Sequence, residues 1–266
     1  MNQASCVRFL HQKELEHVLT KIDDIRALDE IARFAPPGWS FRPVTCNGTS
    51  VCLLKEAGVL KRTHSCGSEH IIMRPTVVDV AKHLKCEANQ RRTSKRRVAQ
   101  TMERWFHQEF VKGLRQFGEF RVFIVTAKDI TATRGRKGKV IEVVHTLELA
   151  DRELVVTVLS SCASFPGPTE THQGIHIQQV KHFAFYAFET LRSRSDWFTV
   201  FESLEVGARI DVGVTMSGDV AQPFINEVTR IYEADFFAEW LAQPGTYVSS
   251  AVSTALAEVF IAATDS

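Results

Sequence analysis

The sequence predicts an α+β protein built as one large domain or two closely joined subdomains. Three observations carry this: apolar residues recur at helical spacing in two long stretches, several short runs are rich in β-forming residues, and 266 residues with 44% hydrophobic content can bury a sizeable core.

The elements follow in order. Leu10, Leu15, Val18, Leu19, Ile22, Ile25, Leu28, Ile31 and Ala32 mark an amphipathic helix or two over 10–34, stopped by Ala35-Pro36-Pro37-Gly38. Short β-forming runs come next at 50–54 (SVCLL), 59–62 (VLKR) and 70–73 (HIIM), the last two joined by the small-residue loop THSCGSE. Thr76 is placed to cap a helical stretch, VVDVAKHLK, and RWFHQEFV at 104–111 reads as an aromatic strand. In EFRVFIV at 119–125, Phe120, Val122 and Ile124 point to a core while Glu119 and Arg121 point the other way, giving a half-buried strand with a polar face. VIEVVHTLEL at 140–149 is its expected neighbour, reached through TRGRKGK as an exposed basic connection. Helical spacing returns at Ile177, Val180, Phe183, Ala184, Ala187, Phe188 and Leu191. Strands at 206–215 and 223–229 and a last helix near 250–263 complete the chain.

Composition narrows the function classes. Thirty-two Lys+Arg against 31 Asp+Glu leave a net charge of +1, which argues against a surface built as a whole for nucleic acid or anionic membrane. The six cysteines, at 6, 46, 52, 66, 86 and 162, contain no C-x-x-C pair, so reduced, mostly buried thiols are expected rather than a disulfide scaffold or zinc knuckle. The first residues lack the apolar core of a signal peptide, and no stretch has the uninterrupted length of a membrane helix; a cytoplasmic protein without membrane partners is the expectation.

The most informative arithmetic concerns ARIDVGVTMSGDVAQPFINEVTR. If a turn over Met216–Gln222 is symmetric about Asp219, residues whose numbers sum to 438 face each other, and Asp211 and Glu227 do so. Ile210, Val212 and Val214 take the core face, leaving Asp211 with Arg209 on the other. Glu227 shares its face with Ile225 and Thr229, and alternation sends Asn226 to the opposite one. Like charges opposed across a ladder need something positive between them. A Mg²⁺ ion with open positions for phosphate and water is one answer, and neutralisation by Arg209, Arg121 or Arg230 is the other. Separately, Lys61 emerges from a strand beside Thr63-His64-Ser65-Cys66-Gly67-Ser68, where small residues let backbone N–H groups approach phosphate and the lysine adds a point charge.

The order VLKRTHSCGSEHIIM, helix, WFHQEFV, GEFRVFIV, RIDVGV, PFINEVTR resembles the ATP-grasp superfamily from about Lys21 to Ala238. The resemblance implies two α+β subdomains sandwiching a nucleotide cleft: a helical segment at 1–48, a small subdomain at 49–112, and a large one at 113–266 carrying the metal-binding hairpin. Little precedes Lys21, so the N-terminal domain of such proteins is expected to be largely missing. By resemblance, Lys61 and more distantly Lys21 reach the nucleotide phosphates, and Ser65, Gly67 and Ser68 belong to the loop closing over them. Gln108, Glu109, Phe110 and Val111 form the hinge that reads adenine. Arg121 and Arg230 act at the transferred group, and Asp211, Glu227 and Thr229 stand at the Mg²⁺ positions, with Thr229 replacing the asparagine of the usual Glu-x-Asn.

The function implied is ATP- and Mg²⁺-dependent ligation, in which an unspecified carboxylate becomes an acyl-phosphate and an unspecified nucleophile displaces phosphate. Thr229 and the missing domain favour as the alternative a nucleotide-binding protein without turnover. A nucleic-acid-associated protein using Arg91–Arg97 and Arg134–Lys139 rests on charge alone. His172 and His176 lack the glutamate of a metalloprotease helix, and Cys162 has no local base, so neither is read as catalytic.

Overall fold

The computed structural model describes residues 21–46, 52, 54, 58–62, 71–76, 78–80, 105–132, 135–148, 154–159, 163–165, 174–196, 199–230 and 244–264. Ser65, Gly67, Ser68, Cys162, His172, the basic run 91–97, the helical pattern before Thr20 and most of SVCLL lie outside these residues. The chain divides into a smaller unit, Thr20–Arg26 with Arg42–Val111, and a larger one that includes Ala27–Phe41 and Lys112–Ser266. Both are mixed α/β with antiparallel sheets.

Helix α1 (Lys21–Arg33) begins with Asp23 and Asp24 in its first turn and ends with Arg33, charges that complement its dipole. Of its buried residues, Ile25, Leu28, Ile31 and Ala32 belong to the apolar repeat and Ala27 lies outside it, and Gly38, at φ +84°, lies in the breaker that follows.

In the smaller unit, β1 (Thr45–Cys46), β2 (Gly58–Arg62), β3 (Ile71–Met73) and β4 (Trp105–Glu109) form one sheet in the order β1-β4-β2-β3. Val59 pairs with Met73 and Gln108, joining the two runs on either side of THSCGSE as neighbours. Thr76 caps as expected: its hydroxyl accepts from the Asp79 amide at 3.1 Å, and the Asp79 carboxylate accepts from the Thr76 amide at 2.9 Å.

The larger unit starts with a short helix, α2 (Gly113–Gln116), and builds a five-stranded sheet from β5 (Glu119–Lys128), β6 (Arg136–Glu148), β7 (Leu154–Val158), β10 (Gly207–Ser217) and β11 (Val220–Arg230). Their order is β11-β10-β5-β6-β7. A two-stranded piece, β8 (Ser164–Phe165) with β9 (Ile175–His176), leads into helix α3 (Ile177–Arg192). His176 caps α3 by accepting from the Gln178 amide at 3.1 Å, and Gln179 returns to the His176 amide at 2.8 Å. Phe120, Val122, Ile124, Ile210, Val212 and Val214 pack with Val180, Phe183, Ala184, Ala187, Phe188 and Leu191 of α3 in the main core.

The opposite face differs from the sequence reading. It is polar only at the Glu119–Arg121 end of β5; beyond that, Phe123 and Val125 are buried with Val144, Val206 and Ala255 of helix α4 (Pro244–Thr264). A second covering helix turns what alternation suggested was a solvent face into a second core. The TRGRKGK connection also differs, because Arg136–Lys139 are part of β6 and Arg136 is buried. Its guanidinium donates to the Thr126 carbonyl at 2.9 Å and hydroxyl at 3.1 Å, and to Glu258 at 3.2 Å, which satisfies a charge that composition alone assigned to water.

Candidate functional site

The β10–β11 turn is tighter than the symmetric loop expected. Only Gly218 and Asp219 separate the strands, with Gly218 at φ +59° in the first central position of a two-residue hairpin turn. Near the turn the paired numbers sum to 437, as in Ser217 with Val220. A bulge between Asp211 and Val212 absorbs Asn226, and beyond it the sum becomes 438, pairing Asp211 with Glu227. Because β10 also pairs with β5, Asp211 stands opposite Arg121 as well. Arg121, Asp211 and Glu227 therefore form one row across three strands, with Asp211 in the middle.

Asp211 is 1% exposed and both its oxygens are engaged. Arg209, two residues earlier on the same face, forks onto it through Nε to Oδ1 at 2.7 Å and Nη2 to Oδ2 at 2.8 Å, and Arg121 donates Nη1 to Oδ2 at 3.1 Å. Arg209 Nη2 also donates to the Thr229 hydroxyl at 3.0 Å. Arg121 reaches the Glu119 carboxylate at 3.1 Å, and Asn226 Nδ2 donates to Glu119 at 2.6 Å. Asn226 thus joins the same cluster, contrary to strict alternation, because the bulge breaks the period of two at that residue.

The electrostatics follow from two guanidinium groups set among three carboxyl groups. Glu119 is pushed above the ordinary carboxylate range by burial and then by the Asp211 charge, with Arg121 and Asn226 acting in the other direction. Burial alone would lower Arg209, but the charge and hydrogen bonds of Asp211, with Glu119 and Glu227 beyond, raise it overall.

As arranged, these residues do not fit a divalent cation. The Asp211 oxygens and the Thr229 hydroxyl face guanidinium N–H groups, and among the described residues no group of three or more His, Cys, Asp or Glu side chains is disposed to hold a metal ion. Arg230 follows Thr229 on β11 and is buried, its guanidinium 5.7 Å from the Phe201 ring in the main core, so it does not enter the row.

In the smaller unit, Lys61 Nζ donates to Gln108 Oε1 at 3.0 Å, and Gln108 Nε2 donates to the Thr45 hydroxyl at 3.1 Å. The Glu109 amide donates to the Val44 carbonyl at 2.8 Å, so that N–H is taken up by the chain itself. Phe110 and Val111 follow β4, with Val111 buried, and Lys21 opens α1. The sequence reading did not assign Glu119 and Asn226 to the site. Glu119 was already placed on the face of Arg121, but the part of Asn226 depends on a bulge that no local residue pattern announces.

The chain is similar in structure to D-cycloserine synthetase DcsG. The match has a TM-score of 0.45 and 13% identity, and covers 89% of this chain and 70% of that one. No family model matches the sequence, and no curated protein matches it significantly. Among the described residues no helix is long and apolar enough to cross a membrane.

Proposed function

We propose that the protein binds ATP and is a ligase-like enzyme that activates a carboxylate as an acyl-phosphate. What supports the reading is that Arg121, Asp211 and Glu227, taken from three separate sequence motifs, meet in one row of the large sheet. In this reading a substrate carboxylate oxygen attacks the γ-phosphorus, ADP leaves, and an amine, thiol or similar nucleophile then displaces phosphate from the acyl carbon. Arg121 would offset charge on the transferred group. Asp211 would hold Arg121 and Arg209 in place for that task. Lys61, tethered by Gln108, would supply a point charge to the nucleotide phosphates. Ser65, Gly67, Ser68 and Lys21 would add phosphate contacts, and the segment Gln108 to Val111 would meet the adenine.

A second reading, nucleotide binding without turnover, is favoured by the way Arg209 and Arg121 occupy both Asp211 oxygens and the Thr229 hydroxyl. One experiment separates the two. ADP release is followed over a panel of carboxylic acids with an amine or thiol, beside ATP-dependent thermal shift. Ligase action requires acid-dependent ADP release that falls on the order of a hundredfold in Arg121→Met. A thermal shift without ADP release leaves the second reading, and absence of both responses removes the two together.

A further inference from the structure

We propose that Cys46 and Cys52 form a redox-active dithiol, converted to an intramolecular disulfide by a low-molecular-weight disulfide of the glutathione class, with the His107 imidazole as the proton acceptor. The β1–β4 register sets Cys46 directly opposite His107, so the two side chains share one face of the sheet as cross-strand neighbours. Cys52 Sγ lies 3.0 Å from His107 Nδ1. Two thiols from different parts of the chain therefore converge on one ring, and both are free.

The histidine itself points to chemistry at sulfur. His107 is completely buried, and its other nitrogen, Nε2, has no hydrogen-bond partner in the structure. A buried imidazole whose polar contact is to a thiol is a costly choice for packing alone. The ring is also held in a made space: a Cβ at Gly58 would collide with His107 Nε2 and come within 2.7 Å of the Gln108 carbonyl oxygen.

The exchange balances without another participant. Cys52, the less buried of the two, passes its proton to Nδ1 and its thiolate attacks the disulfide RSSR, forming a Cys52–S–S–R bond and releasing RS⁻. The imidazolium gives that proton to RS⁻ and takes the Cys46 proton in turn; the Cys46 thiolate attacks the Cys52 sulfur, closing the protein disulfide and releasing the second RS⁻, which the imidazolium protonates. Two protein thiols and one RSSR give one protein disulfide and two RSH. Burial pushes the Cys52 thiol up, and the adjacent Cys46 thiol adds to this, while burial pushes His107 down.

The test is thiol mapping of the full-length protein after oxidised glutathione, by alkylation and peptide mass spectrometry. The expected product is a peptide linked through Cys46 and Cys52 that dithiothreitol reverses. Cys46→Ser should stop the reaction at a glutathione adduct on Cys52, and His107→Asn should slow closure by about tenfold. Because a buried histidine variant can fail to fold, the parent map decides. If Cys46 and Cys52 both alkylate as free thiols, or each carries glutathione without linking to the other, the proposal is overturned.

Discussion

Asp211 accepts three hydrogen bonds from two guanidinium groups inside the sheet, so its charge is part of the structure before it is part of any chemistry. Replacing it by Asn leaves Arg209 and Arg121 buried with their main counter-charge gone. Such a break costs about 3–5 kcal/mol, and the double variant Arg209→Met/Asp211→Leu should lie much closer to the parent because both buried charges leave together. Urea unfolding at unchanged m-value measures this. A loss below about 1 kcal/mol for Asp211→Asn would show that the arginines find other counter-charges easily. At this scale the sequence was informative in part. Alternation placed Arg209 beside Asp211 and Glu119 beside Arg121, because a period of two is a local property of a strand. It misassigned Asn226, whose position depends on where the partner strand inserts an extra residue.

Among elements, β2 shows how closely two strands can be matched without side-chain interlock. Gly58 sits where the His107 ring and the Gln108 carbonyl of β4 leave no room for a methyl group. Gly58→Ala should therefore destabilise the smaller unit by about 1–3 kcal/mol, since the collision involves backbone as well as a buried ring. A lowered melting temperature would bear this out; an unchanged melting temperature would refute it. Long elements were legible because their signals repeat: seven apolar positions of α3 all lie in its buried stripe. The pairing of Asp211 with Glu227 was also legible, although by compensation, since the true turn is centred half a residue earlier and the Asn226 bulge restores the expected sum. Strand β1 was not, because two residues after a Pro-containing loop carry no period. The start of α4 at Pro244 lies earlier than its apolar pattern, as proline fits a first helical turn without contributing to a stripe.

For the whole molecule, each unit carries a histidine whose pKa is lowered, buried His107 in one and half-buried His145 in the other, and this sets a direction for pH dependence. His107 in the smaller unit and His145 in the larger are both held below the ordinary imidazole value of 6.5 by burial. His145 packs against Phe120 and Phe165, at 4.9 and 4.8 Å between ring centroids, and bonds the Phe117 carbonyl. A lowered pKa means the unfolded chain takes up these protons first. The stability they contribute is complete above about pH 6.5 and is lost as pH falls from there toward the folded values. Glu119 acts oppositely: its pKa is raised above the ordinary 4.5, so its contribution is greatest at low pH and declines as pH rises through the folded value. Lowering the pH from about 7.5 to about 5.5 should therefore remove the stability that the two histidines contribute, with Glu119 opposing that loss, and melting curves across the range measure it. His145→Gln should flatten the dependence, and Glu119→Gln should steepen it in the acid part of the range by removing the opposing slope. A His145→Gln profile parallel to the parent would mean that this ring takes up its proton equally in the folded and the unfolded chain.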